Sequence, residues 1–523
     1  MEFDIVVVGA GPAGLSAAIR AKQVATQRGE ELSVCVIEKG AEVGAHILSG
    51  NVFEPRALNE LIPDWKTVVH MAPPLRQSGN YVISLGMLCR WLAEQELGVD
   101  IFPGFAAAAP VICEDTGAVK GVQLQDVGIA KSGAAKDTFE PGMRLLGKQT
   151  ILTEGARGSI SEDVMARYGL RDGVSPQHYG LGVKEVWEIP EENHVAGTVV
   201  HTVGWPLDMS TYGGSFIYHM KPNLIHIGMV VGLGYSNPWM SPYQEFQRFK
   251  HHPRVKAILE GGKCISYGAR VLNEGGVQAV PKLTFPGGML AGCSAGFLNV
   301  PKIKGSHTAM KTGMLAGEAA AEALIDAPEV SKVWCAPGQP WRTADLVRAG
   351  ETRHLPGLAL HGCLLLQVSP VPDVPSAAGT GDQRQGALDL QVDGARQRVH
   401  QAGGGVQEDR DPKPDGVYSF ELLENLIRSG VNHEHDQPAH LKVKPEKADV
   451  PLKVSLEKYA GPEGRFCPAK VYEYVPDESG DGMKLQINAQ NCVHCKCCSI
   501  KTPQEFIKWT VPEGSGGPQY AAM

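Results

Sequence analysis

The chain has 523 residues, enough for two to four domains with large cores. Its formal net charge of −8 gives no support to nucleic-acid binding, and no run of roughly 18 apolar residues is present to form a transmembrane helix. No basic segment precedes the first apolar run, so we expect neither a signal peptide nor a mitochondrial transit peptide, and the chain would be bacterial or already processed.

The first 38 residues follow the pattern of a dinucleotide-binding βαβ unit. An apolar run of strand length, Phe3–Val8, is followed by GAGPAG at 9–14 and by small and apolar residues at helical spacing in Leu15–Ala25. A second apolar run, Leu32–Ile37, ends in Glu38. Because strand, glycine turn, helix and acid occur in this order, the pattern is more specific than a glycine-rich turn alone.

Each glycine of this turn has a physical role. Gly9 lets the chain turn off the strand, Gly11 leaves room for a pyrophosphate, and Gly14 lets the helix pack close to the sheet. The phosphates would lie at the helix N-terminus, and Glu38, 24 residues after Gly14, would hold a ribose hydroxyl. We predict FAD rather than NAD because the motif opens the chain and the segment 40–50 is long and glycine-rich.

Two segments after this unit have open interpretations. His46, in the loop GAEVGAHILSG, could touch the flavin ring or could be a polar loop residue. Val52–Trp65 combines Phe, Leu, Ile and Trp with few charges, which predicts either a surface helix with an exposed apolar face or ordinary core packing.

A second nucleotide contact is predicted near residue 155. The elements predicted before it are a helix at Met87–Leu97, a strand and turn at Gly98–Phe105, and strands at Val119–Gln125 and Gly147–Glu154. The last strand ends in an acid and runs into GARGS at 155–159, a pattern that flavoproteins use to contact the nucleotide. Arg157 is the candidate binding residue of this turn.

Apolar strands are also predicted between residues 181 and 233. They are Leu181–Ile189, Gly197–Val203 and Leu224–Leu233. Among them, Gly213 and Gly214 lie beside aromatic residues in TYGGSFIY. This pair would expose backbone N–H and C=O groups to a flat ligand with carbonyl oxygens, although Gly-Gly also marks a hairpin turn.

The glycine-rich segment around the predicted helix Gly305–Ala323 gives a further flavin contact. Gly292 opens the preceding turn, and Gly305 and Thr308 begin the helix, whose first N–H groups would face the flavin pyrimidine carbonyl. Many FAD proteins have an Asp in the preceding turn to hold the ribityl chain. Here Cys293-Ser294 takes that place, so the contact would be weaker or would come from the backbone.

The composition changes abruptly between Val333 and Pro412. These 80 residues contain no Lys, Ile, Phe, Tyr, Met or Asn, although about six Phe, Tyr and Met residues would be expected at the chain's average composition. One interpretation is a disordered linker. We favour a GC-rich reading frame shifted between two compensating indels, because all six missing types have AT-rich codons, and we assign no function inside the segment.

Five cysteines lie close together near the C-terminus. Cys492, Cys495 and Cys498 form two C-x-x-C steps, and Cys467, followed by proline, supplies a distant fourth thiolate. A Cys₄ zinc site usually has two separated C-x-x-C pairs, so the pattern favours a [4Fe–4S] cluster with Cys497 outside the ligand set. His433 and His435 could bind metal, but alternating His residues in a turn are more often solvated.

Taken together, these motifs resemble the electron-transfer flavoprotein:ubiquinone oxidoreductase family. The stretches that carry the resemblance are GAGPAGLSAA, GAHILSG, TYGGSF, NVPKIKGSHTAMK, FCPAKVYE and INAQNCVHCK. They cover nearly all of 1–330 and 413–523. The family has another membrane-facing segment where this chain has 333–412.

The resemblance implies roles for several residues. Gly213 and Gly214 would contact ubiquinone, and Val52–Trp65 would lie at the membrane. Tyr472 and Cys497 would donate hydrogen bonds near the cluster. The family usually has Thr at the latter place, and a thiol is the weaker donor, so the cluster potential would differ.

The expected fold class is α/β, or α+β overall. A Rossmann-like FAD-binding domain at 1–330 would contain an interleaved ubiquinone-binding β-sheet domain at roughly 166–270. A linker at 331–412 would lead to a ferredoxin-like [4Fe–4S] domain at 413–523, in which Gln486–Asn491 and Phe506–Val511 alternate like two strands.

The resemblance implies electron transfer from reduced electron-transfer flavoprotein through FAD and a [4Fe–4S] cluster to ubiquinone. The protein would be monotopic on the cytoplasmic face of a bacterial inner membrane, or on the matrix face of the mitochondrial inner membrane if eukaryotic and processed. The alternatives are a geranylgeranyl-reductase-like flavoprotein that reduces an isoprenoid, and a ferredoxin-like electron carrier with no substrate site.

Overall fold

The computed structural model describes residues 1–68, 79–95, 98–326, 413–478, 480, 482–520 and 523. Its N-terminal part begins with the expected βαβ unit. The elements of this part are β1 (Glu2–Val8), α1 (Pro12–Arg28), β2 (Val34–Glu38), β3 (Val52–Phe53), α2 (Arg56–Leu61), α3 (Trp65–Val68), β4 (Tyr81–Val82), α4 (Leu85–Ala93), β5 (Asp100–Pro103), β6 (Ala107–Ile112), β7 (Val119–Leu124), β8 (Val127–Ile129), β9 (Ala135–Glu140), β10 (Arg144–Leu152) and α5 (Ser159–Arg167).

The middle of the chain supplies a second sheet and then returns to the first. Its elements are β11 (Tyr179–Glu188), β12 (Val199–Val203), β13 (Gly213–Met220), β14 (Leu224–Gly232), α6 (Pro242–Lys250), α7 (Pro253–Leu259), β15 (Lys263–Asn273), β16 (Thr284–Phe285), β17 (Gly288–Leu290) and α8 (Ser306–Asp326). The C-terminal part contains α9 (Leu422–Ile427), β18 (Leu441–Val443), a π-helical turn at Pro451–Leu456, α10 (Glu457–Tyr459), α11 (Glu463–Phe466), β19 (Tyr472–Pro476), β20 (Met483–Ile487), α12 (Cys498–Lys501) and β21 (Ile507–Trp509).

The first sheet is the expected dinucleotide-binding sheet. Its main path runs β16-β17-β10-β1-β2-β5, with parallel pairing from β17 to β5, and β6 and β7 extend it antiparallel from β10. Helices α1 and α8 pack against each other very closely. A Cβ at Gly313 or Gly317 would lie 2.0 Å from the carbonyl oxygen of Ala13 or Ala17, so only glycine permits this approach.

The second sheet is antiparallel, in the order β12-β13-β14-β11-β15. Its register sets Gly214 opposite Val230, Val230 opposite Gly182, and Gly182 opposite Arg270. Residues opposite one another point to the same face of a sheet, so this row faces one side together. That side lies toward the dinucleotide-binding turn.

The C-terminal part differs from the expected strand arrangement. The alternating segments Gln486–Asn491 and Phe506–Val511 contain β20 and β21, but these strands do not pair with each other. Instead β20 pairs with β19, and β21 pairs with β18. Alternation along a strand predicts which face is buried but not which distant segment becomes its partner.

The apolar face of Val52–Trp65 is part of the core, so its prediction as an exposed membrane helix is wrong. Leu58, Leu61 and Trp65 are 0%, 1% and 2% exposed. The Leu61 carbonyl accepts a hydrogen bond from the Gln23 side chain of α1 at 2.8 Å. An apolar helix face has the same sequence pattern whether it meets a core or a lipid surface.

The aberrant segment 333–412 lies outside the described residues, as do the proposed linker boundaries. Among the helices that the structure does describe, none is both long and apolar enough to cross a bilayer.

Candidate functional site

A single cavity of about 420 Å³ lies between the first sheet and the second. The dinucleotide turn, with Gly9 and Gly11, lines one part of its wall, and Gly213 and Gly214 line another. The two predicted binding regions are therefore continuous in space.

The glycine turn after β1 has the geometry of a phosphate cradle. Gly9 has φ of +102°, and a Cβ there would lie 2.7 Å from the Thr153 carbonyl oxygen. A Cβ at Gly14 would lie 2.0 Å from the carbonyl oxygen of Gly9, whereas one at Gly11 would meet no atom within 4 Å. Gly11 caps α1 without a side-chain hydrogen bond. Space at Gly11 and uncapped helix N–H groups fit a pyrophosphate.

Glu38, at the end of β2, is held in place at the cavity wall. Its carboxylate accepts hydrogen bonds from the N–H groups of Ala10 at 3.1 Å and Gly40 at 2.8 Å. This orientation suits an acceptor for ribose hydroxyls, as the sequence predicts.

His46 is a buried residue of the cavity wall rather than a solvated loop residue. Its carbonyl oxygen accepts a hydrogen bond from the Arg270 guanidinium at 3.3 Å. Burial, reinforced by the nearby cations Lys39 and Arg270, lowers the pKa of His46 well below its usual range. The ring is therefore neutral, and its contact with flavin stays a prediction.

The other predicted flavin-binding residues are placed differently. Gly305 lines the cavity, whereas Gly292, Thr308 and Arg157 lie outside its lining. The Thr308 hydroxyl donates to the Gly305 carbonyl at 2.9 Å, and Gly292, with φ of +62°, lies where a Cβ would be 2.8 Å from Ala13 Cβ. These two residues thus shape the turn and the packing of α1, and their direct nucleotide contacts stay predictions.

Arg157 connects the N-terminal part to the cysteine-rich part. Its guanidinium lies 3.1 Å from Glu162 and 3.3 Å from Glu505, and it donates to the Ser499 carbonyl at 3.0 Å. In these contacts its guanidinium is engaged by residues outside the cavity wall. A direct flavin contact by Arg157 stays a prediction.

Gly213 and Gly214 begin β13 and do not form a hairpin turn. Gly214 lies opposite Val203 on one side and Val230 on the other. A Cβ at Gly213 would lie 2.4 Å from the Val230 carbonyl oxygen, and one at Gly214 would lie 2.2 Å from the Thr202 carbonyl oxygen. Strand packing therefore demands glycine here, in addition to any ligand access that the pair provides.

Several charged residues of the cavity wall are not singled out by the sequence analysis, among them Lys184, Arg270 and Glu274. The Lys184 ammonium donates to the Ser49 carbonyl at 2.9 Å and to Asn51 Oδ1 at 2.5 Å. Burial lowers the pKa of Lys184 well below its usual range. The available signal for this site was the charged pair Lys184-Glu185 within a largely apolar strand.

The four predicted cluster ligands, Cys467, Cys492, Cys495 and Cys498, are all buried, with 5–7% of each exposed. Burial raises the pKa of the Cys467 thiol to about 12, while the backbone N–H groups of Ala469 and Val471 act in the opposite direction. The N–H donors around this sulfur fit a cysteine that ligates a [4Fe–4S] cluster. Their role as ligands stays a prediction.

The two residues predicted to lie beside the cluster are also buried. Tyr472 begins β19, and its hydroxyl lies close enough to Cys498 to lower the pKa of that thiol against the larger effect of burial. Cys497 precedes α12 and is 1% exposed. Both residues are thus positioned to tune a cluster, and their hydrogen bonds to it stay predictions.

A histidine cluster supports the cysteine loop, and here the expectation of a solvated His433 is wrong. His433, His440 and His494 are buried and lie with ring nitrogens within 4.8 Å of one another, whereas His435 is exposed. His433 Nε2 donates to the Cys492 carbonyl at 2.9 Å, because a carbonyl can only accept. His440 follows His433 by seven residues, but His494 comes from the cysteine loop, so the local sequence around His433 could not reveal the cluster.

The cysteine loop also touches the cavity wall directly. The Val271 N–H donates to the Cys495 carbonyl at 3.1 Å, and Val271 itself lines the cavity. One backbone hydrogen bond thus joins the candidate cluster site to the cavity that holds the dinucleotide turn.

This fold and these two sites define an FAD-dependent oxidoreductase with an iron–sulfur domain. Three family models match the chain: an NAD(P)-binding Rossmann-like domain at residues 7–67, an ETF-QO ubiquinone-binding domain at 179–272, and an electron transfer flavoprotein-ubiquinone oxidoreductase 4Fe-4S domain at 416–521.

Full-length relatives agree with these matches. The chain is similar to mitochondrial electron transfer flavoprotein-ubiquinone oxidoreductases from Oryza sativa subsp. japonica (50% identity), Arabidopsis thaliana (49%) and Bos taurus (46%). Each match covers 100% of this chain, and 93%, 85% and 89% of the respective relatives. The chain belongs to the electron transfer flavoprotein-ubiquinone oxidoreductase family.

A solved geranylgeranyl bacteriochlorophyll reductase-like protein from Thermoplasma acidophilum is a distant structural neighbour. It is 17% identical, has a TM-score of 0.49, and the match covers 64% of this chain and 82% of that protein. This likeness is too weak to bear on function, and the geranylgeranyl-reductase alternative is not favoured.

Proposed function

We propose that this protein transfers electrons from reduced electron-transfer flavoprotein through FAD and a [4Fe–4S] cluster to ubiquinone. The observation that carries the proposal is the continuous cavity, which is lined by the dinucleotide turn and by Gly213–Gly214 and is hydrogen-bonded to the cysteine loop. The two cofactors and the electron acceptor would thus have adjacent places in one molecule.

The chain's residues hold these groups in position. Gly11 and the N-terminus of α1 would bind the pyrophosphate, and Glu38 would bind the ribose. Cys467, Cys492, Cys495 and Cys498 would ligate the cluster. When bound, the cluster would exchange single electrons and FAD one or two, which would let single-electron delivery meet a two-electron acceptor.

The quinone would lie near Gly213 and Gly214. The neighbouring wall contains Phe216, Val230 and Leu272, which supply an apolar surface for a quinone ring. A ubiquinone tail is strongly apolar, so the mouth of this cavity would have to face lipid.

We infer that the mouth of the cavity rests on a membrane surface. Five exposed apolar side chains either line the cavity or lie in the β12–β13 connection, between Val203 and Tyr212. We call them the apolar rim: Val203, Trp205, Met209, Tyr212 and Ile303. Val203, Tyr212 and Ile303 also line the cavity, and Met209 is fully exposed. Large exposed apolar patches of this kind favour contact with another surface, here a lipid leaflet that holds the quinone. Whether that leaflet is bacterial or mitochondrial stays a prediction.

Reduced electron-transfer flavoprotein and a ubiquinone analogue test the function directly. Purified protein should catalyse reduction of the quinone by the reduced flavoprotein, at a rate that depends on both. A protein that accepts electrons but passes none to quinone would instead be a ferredoxin-like carrier, and reduction of an isoprenoid double bond would restore the reductase alternative.

A further inference from the structure

Glu274 stands at a distinctive place in the cavity wall. It directly follows β15, is partly buried, and lines the cavity. Its carboxyl lies over Gly180 of β11, where a Cβ would be 2.6 Å from Glu274 Oε1 and 2.9 Å from Val230 Cγ1. Val230 in turn lies opposite Gly214. A single side chain thus separates this carboxyl from the predicted quinone-binding strand.

The carboxyl of Glu274 is unengaged, unlike the other acids of this wall. Glu38 accepts hydrogen bonds from Ala10 and Gly40, and Glu154 accepts them from the N–H groups of Ile160 and Ser161. Within the described part of the chain, the Glu274 carboxyl has neither a hydrogen bond nor an ion pair. A carboxyl without partners in a ligand cavity is free to exchange a proton with the ligand.

Among the described residues, no neighbouring charged group forms an ion pair with the Glu274 carboxyl, so burial determines the direction of its pKa shift. Tyr212 lies beside it at the mouth, while Arg270, on its own strand, and Lys184, on β11, are engaged by carbonyl and amide oxygens. Burial raises the pKa of Glu274 to about 7. The Glu274 carboxyl is therefore protonated in a substantial fraction of the molecules at neutral pH. A pKa near the working pH suits a general acid.

Reduction of a quinone to a quinol takes two electrons and two protons. Electrons come from the proposed electron-transfer activity, but the protons need a donor inside an apolar cavity. Resting on the quinone site proposed above, we propose that Glu274 is the proton donor to the bound quinone.

The transfer is balanced in atoms and electrons. The O–H bond of Glu274 breaks as an O–H bond forms on the quinone carbonyl oxygen, while two electrons enter the quinone ring. Water at the mouth, beside the exposed Tyr212, then returns a proton to the carboxylate. The second proton follows by the same route.

Glu274→Gln keeps the shape of the side chain and removes its transferable proton. Its test is the rate of reduction of a short-tailed, water-soluble quinone between pH 6 and 9, with ferricyanide, an electron acceptor that takes no proton, as the comparison. We expect the wild-type quinone rate to fall as the pH rises through about 7, because the protonated donor is lost. We expect E274Q to lower the quinone rate by about 10²-fold and to abolish that pH dependence, with ferricyanide reduction unchanged.

Two further variants separate chemistry from structure. Glu274→Asp retains an acid and should keep the pH dependence with part of the rate. Glu188→Gln removes an exposed acid at the end of β11 and should behave as wild type. FAD and iron content verify that each variant is intact. If E274Q loses its cofactors, the test is the rate of the wild-type protein in heavy water. Proton donation within the protein predicts that heavy water slows the reduction of quinone but not the reduction of ferricyanide.

Unchanged quinone rate and pH dependence in E274Q, or equal deuterium effects on both acceptors, would overturn the role of Glu274. Failure of the proposed function has a different signature: wild type and Glu188→Gln would reduce ferricyanide but no quinone at any pH.

Discussion

Gly11 and Gly14 belong to the same turn, yet each position requires glycine for a different structural reason. Gly14 is required because a side chain would strike the backbone of Gly9, whereas Gly11 borders open cavity space. The spacing of the motif predicts both glycines, because the residues that form a phosphate-binding turn are adjacent in the sequence.

Gly11→Val should therefore yield folded protein without bound flavin, since the new side chain fills the space of the pyrophosphate. Gly234→Val is a matched control, because Gly234 also borders open space but lies outside the cavity lining. Flavin absorbance per chain measures the outcome. Normal flavin content in Gly11→Val would show that the cradle lies elsewhere.

The cysteines allow an equally local prediction. Cys495→Ser should abolish the cluster, whereas Cys497→Ser should retain it with an altered potential, because only the former supplies an iron ligand. Iron content and paramagnetic resonance distinguish the two. Equal cluster loss in both variants would contradict the ligand set.

Other residues of the site could not be predicted, because distant segments bring them together. Glu274 reaches the predicted quinone strand through the register of β11, β14 and β15, and His433 meets His494 from 61 residues away in the chain. No short motif records such contacts. Lys184 was detectable in principle, as a charged residue in an apolar strand.

At the scale of elements, the sequence predicts β1, α1, β2, β5, β7, β10 and α8 to within a few residues, but it does not predict β6 or β16 of the same sheet. Periodicity determines these elements because their burial is dictated by neighbours in the same βαβ unit. It does not determine pairing, as β20 and β21 show. Periodicity also does not show whether the apolar face of α2 packs against the protein core or against lipid.

Leu58 tests the corrected position of α2. Leu58→Ala should lower the free energy of unfolding by about 2–4 kcal/mol, because it leaves a cavity in a closed core. Ile427→Ala, at a 79% exposed position of α9, should change it by less than about 0.5 kcal/mol. Denaturant unfolding measures both, and a Leu58→Ala protein as stable as wild type would return α2 to the surface.

At the scale of the whole molecule, membrane contact is assigned to the apolar rim. Trp205→Glu combined with Met209→Glu should weaken binding to phospholipid vesicles and slow reduction of long-tailed quinone, while reduction of short-tailed quinone stays unchanged. The reason is that charges at the rim oppose its burial in lipid without altering the cavity.

Leu423→Glu with Ile427→Glu is the matched control, since both residues are exposed and apolar but lie on α9. Vesicle flotation and parallel assays with the two quinones give the readout. Equal loss of vesicle binding in the two double variants would mean that the rim has no special role.

An anaerobic reductive titration followed by addition of ubiquinone tests the central claim most directly. With FAD and one [4Fe–4S] cluster in the same chain, full reduction should take about three electrons per molecule, two in the flavin and one in the cluster. Optical spectra would report the flavin and paramagnetic resonance the cluster. Ubiquinone should then reoxidise both, whereas a reduced flavin and cluster that persist in the presence of ubiquinone would contradict electron transfer to quinone.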